Sequence, residues 1–486
     1  MASLDSLRFD NRFARLPAGL FSRVTPTGFE RPFVVAFNPE VATLIGLDPE
    51  AGHHPDLAQY FGGRKLLPGS DPLAMKYTGH QFGVYNPDLG DGRGLLLGEV
   101  VNERGETWDL HLKGAGQTPY SRFGDGRAVL RSCIREYLGS EAMHHLGIPS
   151  TRALCIIGSD EPVQREKREA GAMLLRVADT HIRFGHLEWL YHSGQHALLA
   201  VLVDFIIAHH YPDCAGAADR HATFFREVVR RTARLMAQWQ LAGFAHGVMN
   251  TDNFSISGAT FDYGPFGFLD AYEPGFICNH SDYHGRYAWN QQPSVGLWNL
   301  NALAHALSGL VERDALVDAL QGYQHEFLAT YSRGLHDKLG LRGEREGDQA
   351  LAVDFLELLA ANGADYTRSF RALSGVRLAE ERSALRDEFV DREAFDAWHA
   401  RYRQRLLAED SDDAGRRRRM DAVNPKYILR NYLAQVAIDK AEAGDYSEIE
   451  TLRRLLMRPY DEQPQHERYA ALPPDWGRHL EISCSS

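Results

Sequence analysis

The sequence predicts an α+β fold in which a strand-rich part precedes a helical part. Alternating and apolar stretches typical of strands surround one clear helix between about residues 80 and 190. From about residue 190 onward, apolar side chains recur mainly at helical spacing. Composition favours a packed core, since 44% of the 486 residues are hydrophobic and 24% are charged, close to the average of globular proteins.

A hairpin and a helix are the clearest elements of the first part. Residues 95–101 are an apolar run, residues 102–106 a turn, and residues 107–113 (TWDLHLK) alternate between apolar and polar side chains. This pattern predicts a strand with one apolar and one polar face. A helix is predicted over residues 128–146, ending at Gly147.

Four regions are predicted along the chain. Residues 1–75 are a loop-rich N-terminal extension, residues 76–190 a strand-rich lobe and residues 191–440 a helical lobe. Residues 441–486 form a C-terminal tail that carries Cys484. The length suits several structural units, since a domain takes roughly 100–200 residues.

Charge and hydropathy argue against several functional classes. The net charge of −12 disfavours non-specific binding to nucleic acid or anionic membranes. The best apolar run, residues 197–208, carries Asp204 and is too short to cross a bilayer. There is no secretory signal, and the five cysteines are sparse, so a cytoplasmic protein is expected. Nothing in the sequence requires an oligomer, and a monomer is expected.

A glycine-rich turn precedes the predicted hairpin. Residues 90–94 read Gly-Asp-Gly-Arg-Gly, and Gly90 and Gly92 let backbone N–H groups approach an anion closely. Arg93 adds positive charge. The turn lacks the continuation of a Walker A loop, and an ordinary structural turn is the alternative interpretation.

Lys113 and Glu136 form a suggestive pair. Lys113 ends a predicted strand on its polar face, and Glu136 lies 23 residues later in the predicted helix. Each alone would be an exposed surface residue. Together they match the strand lysine and helix glutamate that position ATP phosphates in protein kinases.

The segment 244–264 completes the pattern. It contains His246, then Asn253, then a predicted short hairpin, then Asp262. Asparagine and aspartate supply the hard oxygen ligands that hold Mg²⁺ against nucleotide phosphates. Together with the preceding motifs in this order, the sequence predicts a protein-kinase-like bilobal fold with a metal-dependent nucleotide site.

The usual kinase base is missing. Kinase loops carry an aspartate five residues before the asparagine, and that position is Val248 here. Valine cannot accept the proton of a substrate hydroxyl. Asp252 offers an alternative base from a different place on the loop, which would suit a nucleophile aimed at a different phosphorus.

Four blocks of sequence resemble the selenoprotein O (SelO/YdiU) family over nearly the whole chain. They are HLKGAGQTPYSRFGDGRAVLRSCIREYL, HGVMNTDN, FDYGPFGFLD and NPKYILRNYL. The resemblance implies a kinase-like pseudokinase fold and a protein adenylyltransferase that moves AMP from ATP, bound in a flipped orientation, to serine, threonine or tyrosine hydroxyls. It implies Mg²⁺ or Mn²⁺ as the metal, and UMP transfer has also been attributed to bacterial members.

The resemblance also implies residue roles. Arg176 and Arg183 would be surface arginines if judged alone, but they match phosphate contacts of the family. The implied nucleotide contacts are Gly90, Gly92, Arg93, Lys113 with its partner Glu136, Asp125, Gly126, Arg176 and Arg183; the implied base is Asp252, and the implied metal ligands are Asn253 and Asp262. Such cations would stabilise a pyrophosphate leaving group.

The chain ends Cys484-Ser485-Ser486, which matches the family's near-terminal selenocysteine or cysteine. A thiol so near a terminus favours redox chemistry. We therefore hypothesise a regulatory disulfide between Cys484 and Cys278, with two unpaired thiols as the alternative.

Other functions stay open at this point. A zinc site among His192 and His196, or among Cys278, His280 and His284, lacks the spacing of known zinc motifs. A nucleotide-binding scaffold without transfer activity, or a kinase that uses Asp252, would share the same motifs. The sequence names no protein substrate, and it does not decide between Mg²⁺ and Mn²⁺ or between ATP and UTP.

Overall fold

The computed structural model describes residues 1–482 and combines helices with strands, which confirms the α+β prediction. Most strands precede residue 180, and most helices follow it. In the described part of the chain, no helix combines the length and apolarity needed to cross a membrane. Cys484 lies outside the described residues.

The strands form one large antiparallel sheet and two small pairs. They are β1 (Phe21–Arg23), β2 (Phe33–Phe37), β3 (Leu73–Met75), β4 (Gly79–Gln81), β5 (Val84–Asn86), β6 (Gly94–Val101), β7 (Thr107–Lys113), β8 (Ala128–Val129), β9 (Arg152–Gln164), β10 (Arg168–Ala178), β11 (Phe244–Ala245) and β12 (Gly267–Phe268). The large sheet has the order β1-β3-β6-β7-β10-β9-β2, with β8 paired to β10. The small pairs are β4 with β5 and β11 with β12.

The helices follow in chain order. They are α1 (Pro39–Leu44), α2 (Leu57–Phe61), α3 (Leu130–His145), α4 (Phe184–His192), α5 (His196–His210), α6 (Arg220–Ala242), α7 (Gln292–Leu307), α8 (Arg313–Lys338), α9 (Asp348–Asn362), α10 (Tyr366–Leu373), α11 (Arg392–Leu407), α12 (Asp413–Asp421), α13 (Asn431–Glu442) and α14 (Ser447–Leu456). Short 3₁₀ turns connect several of them, including Thr251–Asn253.

The N-terminal region is part of the sheet. β1, β2 and β3 lie within residues 1–75, and β3 pairs with β6 while β2 pairs with β9. Apolar side chains of this region also pack on one face of the sheet, where they meet Leu110 and Leu112 of β7. The sheet is therefore continuous across the boundary placed at residue 75.

The predicted hairpin is confirmed, with Val101 opposite Thr107 and Gly94 opposite Lys113. Its polar face, however, is not open to solvent. Asp109, His111 and Lys113 are all buried, because this face of β7 is covered by the rest of the protein rather than by water.

Helix α3 confirms the predicted helix, although residues 128 and 129 extend into strand β8 instead. Its apolar side chains Cys133, Ile134 and Tyr137 pack into the main core. Helix α3 contacts β9 and β10, and also α13 and α14 from the end of the chain. The C-terminal region thus helps to enclose the helix that carries Glu136.

Helix α6 leads directly into the predicted loop. Its apolar face is buried in the main core, and it ends at Gly243, whose φ of 67° suits a left-handed helix cap. The hairpin predicted between Asn253 and Asp262 was wrong. Ser255 instead forms an isolated antiparallel β-bridge with Arg183, and Thr260 forms an isolated parallel β-bridge with Ser150. The two ends of this segment therefore pair with two different neighbours and not with each other.

Candidate active site

A cleft of about 830 Å³ lies between the sheet and the loop that follows α6. The glycine-rich turn, β7, β10 and residues 248–265 all contribute to its walls. The structure places eleven of the sequence-predicted site residues on this lining: Gly90, Gly92, Arg93, Lys113, Asp125, Gly126, Arg176, Arg183, Asp252, Asn253 and Asp262. The remaining one, Glu136, lies behind the lining and contacts two of these residues.

Glu136 pairs with two positively charged side chains at the back of the cleft. Its Oε2 lies 2.7 Å from Lys113 Nζ, and its Oε1 lies 2.5 Å from Arg176 Nε. All three side chains are buried, and Glu136 is only 1% exposed. The interpretation of these residues as ordinary surface side chains was therefore wrong.

The charges in this network control its protonation. Burial alone would raise the pKa of Glu136, but the neighbouring Arg176 and Lys113 outweigh burial and hold that pKa below its usual value. Burial lowers the pKa of Lys113, and the Glu136 carboxylate opposes this shift. The pair is positioned by the sheet, since Lys113 and Arg176 lie on the adjacent strands β7 and β10.

Asp262 joins the same network from the loop. Its Oδ1 accepts a hydrogen bond from Arg176 Nη2 at 2.7 Å, and its Oδ2 contacts Arg183. Burial would raise its pKa, but Arg183 and Arg176 hold the pKa well below the usual range. Asp262 has a φ of 59°, in the left-handed region where non-glycine residues are uncommon. Asp262 is thus an ionised carboxylate held in a constrained position.

Asp252 has a different environment. It lies in the 3₁₀ turn Thr251–Asn253, and its buried Oδ1 has no hydrogen-bond partner among residues 1–482. Its Oδ2 accepts only a long bond of 3.5 Å from Gln81 Nε2. Burial raises the pKa of Asp252 to about 7, although Arg183 opposes the shift. An unsatisfied carboxylate whose pKa lies near neutrality is typical of a general base.

Strand β4 packs closely against Asp252, a feature that sequence reasoning missed. A Cβ atom at Gly79 would lie 2.8 Å from Asp252 Oδ1, so only glycine fits there. Gln81 and Phe82 also line the cleft. The signal in the sequence was weak, since residues 79–83 (GHQFG) show two glycines but no chemical motif.

The loop itself is fixed by His246. Its Nε2 lies 2.9 Å from the carbonyl oxygen of Phe261, directly before Asp262. The imidazole also stacks on Trp239 of α6, with ring centroids 5.3 Å apart. His246 therefore connects α6 to the residue preceding the predicted metal ligand.

The donor atoms of Asn253 and Asp262 suit a hard divalent cation. Asn253 Nδ2 donates to the carbonyl oxygen of Val248 at 3.0 Å, so its side-chain oxygen is the atom left for a cation. With the ionised carboxylate of Asp262, this gives the oxygen donors that Mg²⁺ and Mn²⁺ prefer. The residues present therefore fit such a metal.

The zinc sites considered from the sequence are not formed in the described part of the chain. Within residues 1–482, the single group of His, Cys, Asp and Glu side chains close enough to share a metal is Glu40, Glu141 and His145. Arg152 already binds Glu141 there at 2.6 Å.

The α+β fold and a cleft walled by buried cations indicate the class of nucleotide-dependent transferases. The family model described as "Protein adenylyltransferase SelO" matches residues 3–457. The chain is 55% identical over 486 residues to the protein nucleotidyltransferase YdiU of Pseudomonas paraeruginosa PA7, and 55% identical over 488 residues to that of Myxococcus xanthus DK1622. Identity to the YdiU of Pseudomonas fluorescens SBW25 is 54% over 487 residues, and all three alignments cover 100% of both chains.

The chain therefore belongs to the SelO family and is a protein nucleotidyltransferase. The family resemblance stated from the sequence blocks is confirmed.

Proposed function

We propose that the enzyme transfers AMP from ATP to serine, threonine or tyrosine hydroxyls of proteins and releases pyrophosphate. The observation that carries this proposal is the position of Asp252. Its buried carboxylate lines the cleft with a free oxygen, whereas Val248 takes the place of the kinase base. A base in this different position favours attack on a phosphorus other than the γ-phosphorus.

The charge of the cleft supports a triphosphate ligand. Among residues 1–482, seven arginine and lysine side chains and four aspartates line it. We assign Lys113, Arg176 and Arg183 to the phosphates, together with Arg93, where buried cations stabilise developing negative charge on pyrophosphate. The turn containing Gly90 and Gly92 and the loop containing Asp125 and Gly126 would contact the rest of the nucleotide.

The cation would be Mg²⁺ or Mn²⁺, held by Asn253 and Asp262. When bound, it would supply positive charge that neutralises the phosphates. Arg176 and Arg183 contact the Asp262 carboxylate in this structure. Both arginines are therefore within reach of the place where phosphate and carboxylate charges would meet.

The transfer step assigns separate tasks to the two aspartates. The acceptor hydroxyl gives its proton to Asp252 while its oxygen forms a bond to the α-phosphorus. The bond from the α-phosphorus to the bridging oxygen breaks, and pyrophosphate leaves with the electron pair. Asp262 cannot serve as the base, because its arginine partners hold its pKa too low to accept a proton at neutral pH.

Labelled nucleotides test the proposal. The enzyme is incubated with candidate proteins and ATP labelled on the α- or the γ-phosphate. AMP transfer predicts label on protein from α-labelled ATP alone, a kinase predicts γ-label, and a scaffold predicts neither. α-Labelled UTP in the same assay measures UMP transfer.

Asp252→Asn should lower the transfer rate about 10²–10⁴-fold, the usual range for a general base, while ATP binding is retained. Asp262→Ala should abolish transfer. Asp318→Asn, on the exposed side of α8, is the matched control and should leave the rate unchanged. Full activity of Asp252→Asn would contradict the assignment of the base.

We also propose redox regulation through a disulfide between Cys278 and Cys484. Cys278 is a buried cysteine. The neighbouring His280 N–H donates to the carbonyl oxygen of Ile482 at 2.9 Å, which brings the end of the described chain beside this segment. Peptide mapping of the unreduced enzyme after treatment with oxidised glutathione tests the pairing, and recovery of both thiols in free form would contradict it.

The cytoplasmic location and the monomeric state stay predictions. Light scattering on the purified chain measures the second.

A further inference from the structure

A second groove, also of about 830 Å³, adjoins the catalytic cleft. It is lined by Phe82 and by residues of the segment 275–298. Four large hydrophobic side chains in it are exposed: Phe82 by 42%, Ile277 by 43%, Tyr283 by 82% and Trp298 by 37%. Clustered exposed apolar side chains of this kind mark interaction sites.

Phe82 belongs to the linings of both the groove and the cleft. It lies with Gly83 in the two-residue loop between β4 and β5, and both residues have positive φ, 50° and 83°. This is the geometry of a type I′ turn, which strongly favours asparagine and glycine. Phenylalanine is strained in that conformation, because its Cβ crowds the following carbonyl oxygen.

The strained position is held from outside the hairpin. The Phe82 N–H donates to Tyr287 Oη at 2.8 Å, and the two rings lie 4.9 Å apart. Tyr287 Oη also lies 2.7 Å from Asn250 Oδ1, in the loop that carries Asp252. Since strain that the surroundings maintain is common at functional sites, the exposed Phe82 ring points to a role in binding.

Arg286 gives the groove its charge preference. Its guanidinium lies 5.0 Å from the ring of Trp298, and its buried Nε has no hydrogen-bond partner among the described residues. Asp282, which also lines the groove, accepts the backbone N–H groups of Arg286 and Tyr287 with its carboxylate and forms no salt bridge with Arg286. A half-buried guanidinium that forms no salt bridge among the described residues favours a ligand that brings a carboxylate.

We propose that this groove binds an extended segment of the protein substrate next to the acceptor hydroxyl. An apolar side chain of the substrate packs against Phe82 and Trp298, and an acidic side chain pairs with Arg286. The proposal rests on the proposed function, because it places the acceptor hydroxyl at Asp252. The groove is continuous with the catalytic cleft, because the hairpin that carries Phe82 also packs on Asp252. A peptide bound in the groove would therefore lead into the cleft, which favours a substrate over other occupants.

Peptide binding tests the groove independently of transfer. The full-length enzyme is saturated with α,β-methylene-ATP, which cannot release AMP, and is offered a peptide library with a central serine, threonine or tyrosine. Bound peptides should be enriched in aspartate or glutamate at one fixed position, and in aromatic or aliphatic residues at another. Arg286→Glu should reverse the acidic preference to lysine or arginine by at least tenfold, and Trp298→Ala should remove the apolar preference.

Arg313→Glu, an exposed charge reversal at the start of α8, is the control and should keep the wild-type preferences. Identical preferences in Arg286→Glu and wild type, or no enrichment on the wild type, would overturn the proposal. So would a wild-type dimer, seen by light scattering, that Trp298→Ala dissociates, since a second copy would then occupy the groove. Failure of α-label transfer in the separate nucleotide assay would count against the proposed function, while the peptide preferences still decide the groove.

Discussion

Replacement of Glu136 by glutamine removes a negative charge that contacts both Lys113 and Arg176. The glutamate makes contacts of 2.7 Å to Lys113 and of 2.5 and 3.1 Å to Arg176, in a region shielded from water. Glutamine has nearly the same shape, so the substitution changes charge and hydrogen bonding and leaves the volume of the core unchanged.

The expected loss of stability follows from the burial of Lys113 and Arg176. Removing one member of a buried ion pair costs about 3–5 kcal/mol, because the remaining charge is left uncompensated. Asp262 still neutralises part of Arg176, and the amide oxygen of glutamine still accepts one hydrogen bond. We therefore expect the lower end, about 3 kcal/mol, which is on the order of a hundredfold in the unfolding equilibrium.

Urea unfolding followed by circular dichroism measures the change, with the midpoint and slope taken from the same curves. Glu357→Gln, on the exposed side of α9, is the matched control and should change stability by less than about 0.5 kcal/mol. A loss below about 1 kcal/mol for Glu136→Gln would refute the reasoning, since exposed, screened pairs contribute only that much.

Three further outcomes are expected. Gly79→Ala should displace the Asp252 carboxylate, since the new Cβ would lie 2.8 Å from Asp252 Oδ1. The rate of transfer should fall about 100-fold while ATP binding is retained. The control Gly309→Ala, with open space around it, should have no effect. Arg176→Lys keeps the charge but loses the planar guanidinium that donates to both Glu136 and Asp262, so transfer should fall about tenfold or more in the α-label assay. Burial lowers the pKa of Lys338 to about 7, so the unfolded chain binds more protons than the folded chain between about pH 7 and 10. The free energy of unfolding should therefore rise with pH in this range, by at most about 1.4 kcal/mol per pH unit. Lys338→Met should flatten that rise in urea titrations at several pH values.

The local elements followed from the sequence because their signals are local. Alternation along residues 107–113 identified β7, and helical spacing identified α3 and the mainly helical chain after about residue 190. The order of the glycine-rich turn, Lys113, Glu136, Asn253 and Asp262 along the chain predicts a nucleotide site. The specific sequence blocks were sufficient to place the chain in its family.

Long-range packing decided the rest. Alternation showed that β7 has two faces, but it could not show that the polar face is buried, because that depends on what covers the sheet. The predicted hairpin is replaced by isolated β-bridges of Ser255 with Arg183 and of Thr260 with Ser150. These partners are distant in sequence, so a local pattern could not predict them.

The sequence by itself predicted a nucleotide site through residue types and their order, and its family blocks identified a nucleotidyltransferase. Only the tertiary structure decided that the pKa of Asp252 is raised while that of Asp262 is lowered. Arg176 and Arg183 come from β10 and from the start of α4, and both reach Asp262 but leave the Asp252 carboxylate without an ionic partner. The separation of the two pKa values is a property of these distant contacts, which periodicity along the chain does not contain.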